Sequence, residues 1–183
     1  ARRTAEPPPP PVRRDEVARA LSLPGSVLTE HGSKALLARY GVPLPPEALA
    51  KSEEDAVAAA AKIGGPVAVK VQSPDILHKT EAGGVLLDVP ASEAAAAYER
   101  LVSRVRAKAP QARIEGVLAS PMLRDGVETI IGVQNDPVFG PVVLLGLGGI
   151  FVEVLRDVTF RIAPFGVEEA HRMIGELRGR AML

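Results

Sequence analysis

The chain has 183 residues, 46% of them apolar, with 22 basic against 22 acidic side chains, no cysteine and no tryptophan. Zero net charge and 3% aromatic content speak against a nucleic-acid binder, which needs a basic surface and base-stacking rings. The lack of cysteine excludes disulfides and thiolate metal sites, and no apolar run reaches the ~20 residues that span a bilayer. The N-terminal arginines precede no apolar segment, so no secretory signal is expected, and the expected setting is the cytoplasm.

Residues 1–23 are expected to be a Pro/Arg-rich linker, because Pro7 to Pro11 impose an extended polyproline conformation that builds no core. Folded structure is expected over 24–183. Thr29 is placed to cap a helix with Leu36, Leu37 and Tyr40 on one side, closed by Gly41. Ser52 is placed to cap a second helix with Ala56, Val57, Ala60 and Ile63 inward, stopped by Gly64-Gly65. Pro66–Val71 and Val85–Val89 read as strands around a polar loop, Gln72 to Gly84. Ser92 is placed to cap a long helix carrying Tyr98, Leu101, Val102 and Val105. Strand signals follow at Ile114–Ala119, Val127–Val133, Pro141–Leu145, Ile150–Val154 and Val158–Ile162. A last helix, Val167–Leu177, has Ala170, Met173, Ile174 and Leu177 inward. The order lacks the strict strand–helix alternation of a doubly wound sheet. It predicts an α+β protein of two lobes, the first about 24–120 and the second about 121–183.

Chemistry concentrates in a few places. Lys70 lies inside an apolar strand, where an ammonium must reach water or meet an anion; a half-exposed strand position explains it equally well. The loop from Ser73 to Val85 contains His78, Lys79, Gly83 and Gly84. Its cations and glycines suit a phosphate, but the spacing is not that of a P-loop, and an ordinary hairpin loop is the plainer reading. Asp136 to Pro141 reads as a turn, and Gly146-Leu-Gly-Gly149 lacks the helix of a dinucleotide fingerprint. Glu128 could meet a ribose hydroxyl, and Glu153 could pair with Lys70, Arg156 or Arg161; a solvated strand face also accounts for each. His31 and His171 sit on helices without a second metal-ligand type nearby, so no metal site is expected within the chain.

Three segments together are more specific. LTEHGSKALLARYGVPLP, PVAVKVQSPDILHKTEAGGVLLDV and VETIIGVQNDPVFGPVVLLGLGGIFVEVLRDVTFRIAP resemble the ATP-grasp domain of nucleoside-diphosphate-forming acyl-CoA synthetases, in that order and over roughly residues 27–180. The resemblance implies a two-lobed ATP-grasp fold holding ATP or ADP. It also implies the reaction acyl-CoA + ADP + phosphate ⇌ acid + CoA + ATP by way of phosphohistidine. By resemblance, Lys70 contacts nucleotide phosphates, with Lys79, Gly83, Gly84 and Val85 in the covering loop. His78 is the phosphate relay. Ser120, Met122 and Leu123 form the hinge at the adenine, although Pro121 has no N–H to offer there. Glu128 approaches the ribose, and Glu153 follows the glycine turn.

The family's metal-binding segment, an acidic-Asn-Pro stretch and a further Asp, has no counterpart before Leu183. The second lobe is therefore expected to be incomplete, the Mg²⁺ ligands to lie beyond residue 183, and the fragment to be inactive alone. The implied partners are CoA-binding domains or an α subunit of the same enzyme. A second reading is a regulatory nucleotide-binding module fused to a protein acetyltransferase. A third is a non-catalytic fragment that forms a homo-oligomer through exposed sheet.

Overall fold

The computed structural model describes residues 27–149 and 156–183. The expected linker, the strand Ile150–Val154 and Glu153 therefore fall wholly or mainly outside the described residues. The chain divides into two compact units, Ala1–Met122 and Leu123–Leu183.

The first unit contains α1 (Glu30–Ala38), β1 (Ala48–Ala50), α2 (Glu53–Ile63), β2 (Val67–Gln72), β3 (Val85–Val89), α3 (Ala94–Lys108) and β4 (Gly116–Pro121). The strands form one sheet in the order β1-β4-β2-β3, and every pairing is antiparallel. Alternation along β2 sends Val67, Val69 and Val71 to one face. There they join Val117 and Ala119 of β4, Ala56 and Ala60 of α2, and Ala97, Leu101 and Val105 of α3 in the core. Lys70 and Gln72 belong to the other face.

The helices start and stop for local reasons. Ser52 caps α2 by accepting from the Asp55 N–H at 3.2 Å. Three acids in the first turn and Lys62 in the last match the helix dipole. Gly64 ends the helix at φ 80°, a left-handed conformation that suits glycine. The buried face of α2 is Ala56, Ala59 and Ala60. Ala56 and Ala60 are inward as expected and Ile63 packs against the core, whereas Val57 is exposed and Ala59 is buried in its stead. Ser92 does not cap α3. It lies in a 3₁₀ turn, Ala91–Glu93, begun when the Pro90 carbonyl accepts from the Glu93 N–H. The apolar side of α1 is only partly covered, with Leu36 half-buried. Leu37 and Tyr40 are 47% and 46% exposed, and no residue of the helix is buried.

The second unit is a three-stranded antiparallel sheet of β5 (Thr129–Asp136), β6 (Gly140–Leu147) and β7 (Val158–Ile162), followed by α4 (Val167–Glu176). Asp136 closes the β5–β6 hairpin by accepting from the N–H groups of Val138 and Phe139 at 2.8 and 2.9 Å. Its carboxylate serves the turn. Met173 and Leu177 are buried as expected, whereas Ile174 is exposed. Arg161 bridges Glu169 and Glu176, tying β7 to α4. The Asp157 carboxylate accepts from the N–H groups of Arg178 and Gly179 at 2.9 and 2.8 Å, which fixes the turn after α4. Among the described residues no helix is long and apolar enough to cross a membrane.

Candidate functional site

Three ammonium groups of the first unit meet on one carboxylate. Glu30 Oε1 accepts from Lys70 Nζ at 3.0 Å and from Lys34 Nζ at 2.9 Å, and Glu30 Oε2 accepts from Lys79 Nζ at 2.8 Å. The cations come from three elements: Lys34 from α1, Lys70 from β2, Lys79 from the β2–β3 loop. Lys34 also donates to Glu47 Oε2 at 2.7 Å. The side chains of Lys34, Lys70 and Lys79 retain 20–28% of their exposure, so the cluster is partly open to solvent. Three lysines against Glu30 and Glu47 leave a surplus of one positive charge.

Local structure brings this about. Thr29 caps α1 by accepting from the Gly32 N–H at 3.3 Å. A second free N–H of the first turn, that of His31, donates to the side-chain oxygen of Gln72 at 2.9 Å. Gln72 is fully buried at the end of β2, and its amide N–H₂ donates to the carbonyls of Lys70 and Val71. One buried amide thus pins the start of α1 to the strand that carries Lys70, and Glu30 arrives beside it. A buried amide this well satisfied fixes geometry, because every alternative leaves polar groups unpaired.

Burial alone would raise the Glu30 pKa, but hydrogen bonds from Lys79, Lys34 and Lys70 outweigh it and hold the pKa at about 2. Burial likewise pushes the Lys34 ammonium down, and its bonds to Glu47 and Glu30 more than restore it. A carboxyl with a depressed folded-state pKa contributes stability that is complete above its ordinary value of 4.5. That contribution fades as pH falls toward about 2. With allowance for solvent screening, it is worth roughly 2 kcal/mol. Urea unfolding of the native chain and of Glu30→Gln should differ by this amount at pH 6 and converge near pH 2. A difference that does not change with pH would mean that the carboxylate charge is not what matters.

The loop between β2 and β3 is folded on itself. The carbonyls of His78, Lys79 and Thr80 accept from the N–H groups of Ala82, Gly84 and Gly83, and the Gly84 carbonyl accepts from Val71. Gly83 has φ 72°. A Cβ on Gly84 would run into the Val71 side chain and lie 3.2 Å from the Lys79 carbonyl. Gly84→Ala should therefore cost about 1–3 kcal/mol, read as a lower melting temperature; an unchanged melt would show that the loop is free to move off the core. Asp75 accepts from the Arg113 backbone and guanidinium, and Lys108 Nζ donates to the Glu81 carbonyl at 2.8 Å. Both ends of the loop are therefore anchored. Within it, His78 is exposed.

Of the other residues singled out in the sequence, Val85 opens β3 directly opposite Lys70. Ser120 is buried in β4 opposite Ala68. Met122 is half-buried and Leu123 is 77% exposed. Glu128 is exposed, and its carbonyl accepts from the Gly148 N–H at 2.6 Å. Lys70 meets Glu30, and Arg161 meets Glu169 and Glu176; Glu153 lies outside the described residues. His171 is exposed on α4. His31 Nδ1 is 4.0 Å from Glu47 Oε1. Glu30, Lys34, Glu47 and Gln72 were not marked by sequence reasoning. The TE…K spacing at Glu30 and Lys34 is ordinary i,i+4 helix pairing and gave no sign of partners 40 and 49 positions away. Among the described residues no three His, Cys, Asp or Glu side chains group to hold a metal ion.

Comparison with known proteins agrees with this architecture. Residues 19–183 match the family model described as ATP-grasp domain. The chain is 45% identical over 159 residues to the β subunit of acetate–CoA ligase (ADP-forming) II of Pyrococcus furiosus, covering 86% of this chain and 67% of the subunit. It is 41% identical over 167 residues to acetate–CoA ligase (ADP-forming) I of Archaeoglobus fulgidus, covering 91% of this chain but 24% of that protein. The chain thus spans about a quarter of the longer relative. Among solved structures, a dinucleotide-forming acetyl-coenzyme A synthetase of Ca. Korarchaeum cryptofilum, in complex with coenzyme A and Ca-AMPCP, superimposes with a TM-score of 0.84 at 42% identity. The match covers 93% of this chain and 75% of that one. A further structure from that organism contains Mg-AMPPCP and a phosphohistidine segment pointing towards the nucleotide site. With its two α+β units, its lysine-bearing central strand and its glycine loop, the chain belongs to the ATP-grasp family and is homologous to the ATP-grasp portion of ADP-forming acetyl-CoA synthetases.

Proposed function

We propose that this chain is the nucleotide-binding portion of an ADP-forming acyl-CoA synthetase, acting with CoA-binding domains or an α subunit. The overall reaction is acyl-CoA + ADP + phosphate to acid + CoA + ATP. The observation that carries the proposal is the convergence of Lys70 and Lys79 next to a glycine loop, in a chain whose relatives are such synthetases. Each lysine has N–H donors left over for phosphate oxygens, and charge-assisted bonds of this kind are worth about 1.5–3 kcal/mol each.

His78 is the phosphoryl relay in this reading. Its exposure on an anchored loop suits a group that must meet a phosphoryl donor. The unprotonated imidazole nitrogen attacks phosphorus, and the donor's bond to phosphorus breaks. A terminal oxygen of ADP then takes the phosphoryl group, the N–P bond breaks, and the imidazole is restored. Lys79, next in sequence, neutralises the moving charge. Ser120, Met122 and Leu123 are assigned to the adenine and Glu128 to the ribose on the strength of the resemblance. Mg²⁺ supplies charge neutralisation between phosphates when bound. Among the described residues no three His, Cys, Asp or Glu side chains group together, and none of the residues named above is given a metal role.

The direct test uses the full-length synthetase. Charged with acyl-CoA and phosphate, it should yield a phosphorylated peptide containing His78 by mass spectrometry, discharged by ADP with formation of ATP. Absence of both the modified peptide and ATP would end this reading.

A further inference from the structure

We infer that Glu30 is a positioning residue for phosphate recognition: it holds the Lys70 and Lys79 ammoniums together, facing one anion. This rests on the reading of Lys70 and Lys79 as phosphate ligands. The two lysines lie on different segments, a central strand and a loop, and the contact they share is the Glu30 carboxylate, one on each oxygen. Without that bridge, two ammoniums brought this close repel each other, and each side chain regains its rotamer freedom. A polyphosphate would then have to overcome both costs when it binds.

The charge arrangement favours positioning over blockage. Lys34 is already engaged by two carboxylate oxygens, one from Glu30 and one from Glu47. Lys70 and Lys79 each give one N–H to Glu30 out of the three that an ammonium carries. Donors therefore remain for phosphate while the bridge stays in place. Glu30 is itself fixed from behind. It opens α1, whose first turn is held by Thr29 and by the buried Gln72, so the carboxylate is a firm reference point for two flexible side chains.

The experiment is a thermodynamic cycle on the full-length synthetase, with ADP affinity measured by calorimetry. Glu30→Gln should weaken ADP binding about fivefold or more in the native background. It should change nothing further in a Lys70→Ala/Lys79→Ala background, because its action passes through those lysines. Glu30→Asp, which keeps the charge but shortens the reach by one methylene, should also weaken binding, and it replaces Glu30→Gln if that variant does not fold.

Tighter ADP binding by Glu30→Gln would overturn the inference, since the carboxylate would then be a competitor for the lysines. Equal weakening in both backgrounds would overturn it in favour of a purely structural role. Unaltered affinity in Glu30→Gln, alongside weakening in the lysine variants, would overturn it while leaving the lysine assignment standing. Unaltered affinity in the lysine variants, or no ADP binding by the native synthetase, would overturn both.

Discussion

Replacing His78 by alanine in the full-length synthetase is expected to reduce ATP formation from acyl-CoA by about 100-fold or more, the scale on which a covalent relay matters. The melting temperature should stay where it was. The structure separates the two outcomes cleanly. The described bond of His78 within the loop is made by its backbone carbonyl, which accepts from the Ala82 N–H, and alanine keeps that bond. The imidazole is exposed, so its removal opens no cavity in the core. Activity near that of the native enzyme would reduce His78 to a loop residue and would remove the relay from the proposed mechanism.

Lys70→Ala should weaken ADP binding roughly tenfold or more, the equivalent of one charge-assisted bond. The fold should tolerate it, because Glu30 keeps Lys34 and Lys79 as partners and no buried carboxylate is left without a cation. The loss should shrink as salt is raised, since the three side chains are partly open to solvent and screening acts on them. An affinity unchanged in calorimetry, with the melting curve intact, would move the phosphate elsewhere.

Much of both units was legible in local sequence. Ser52 and Gly64 bound α2 where their side-chain and backbone chemistry says they should, and Val85–Val89 and Val158–Ile162 are strands with the expected limits. What was not legible depends on partners distant in sequence. The three-residue β1 is a strand because β4 is there to pair with it; alone, Ala48–Ala50 carries no β signal. The apolar side of α1 carries Leu36, which is half-buried, beside Leu37 and Tyr40, which are exposed. Lys70 stood out as a cation in an apolar strand, but Glu30 could not be named as its counter-charge, because nothing in the sequence says that α1 meets β2. Gln72 read as the start of a polar loop, whereas it ends β2 as a buried amide whose value depends on His31, 41 positions away.

The manner in which α1 is attached has a consequence for how the molecule opens. A helix with no fully buried residue, held at its start by a hydrogen bond to the Gln72 amide and a knot of ion pairs, has little of the hydrophobic anchoring that makes local opening expensive. Its adherence to the sheet is set by electrolyte, not by apolar area. Amide hydrogens of residues 33–38 should therefore exchange faster as sodium chloride rises from 0.05 to 0.5 M (about a threefold drop in Debye length). Those of Val67–Val71, sealed in the core, should hold their protection. Parallel acceleration in both segments would show that α1 leaves only when the whole sheet does.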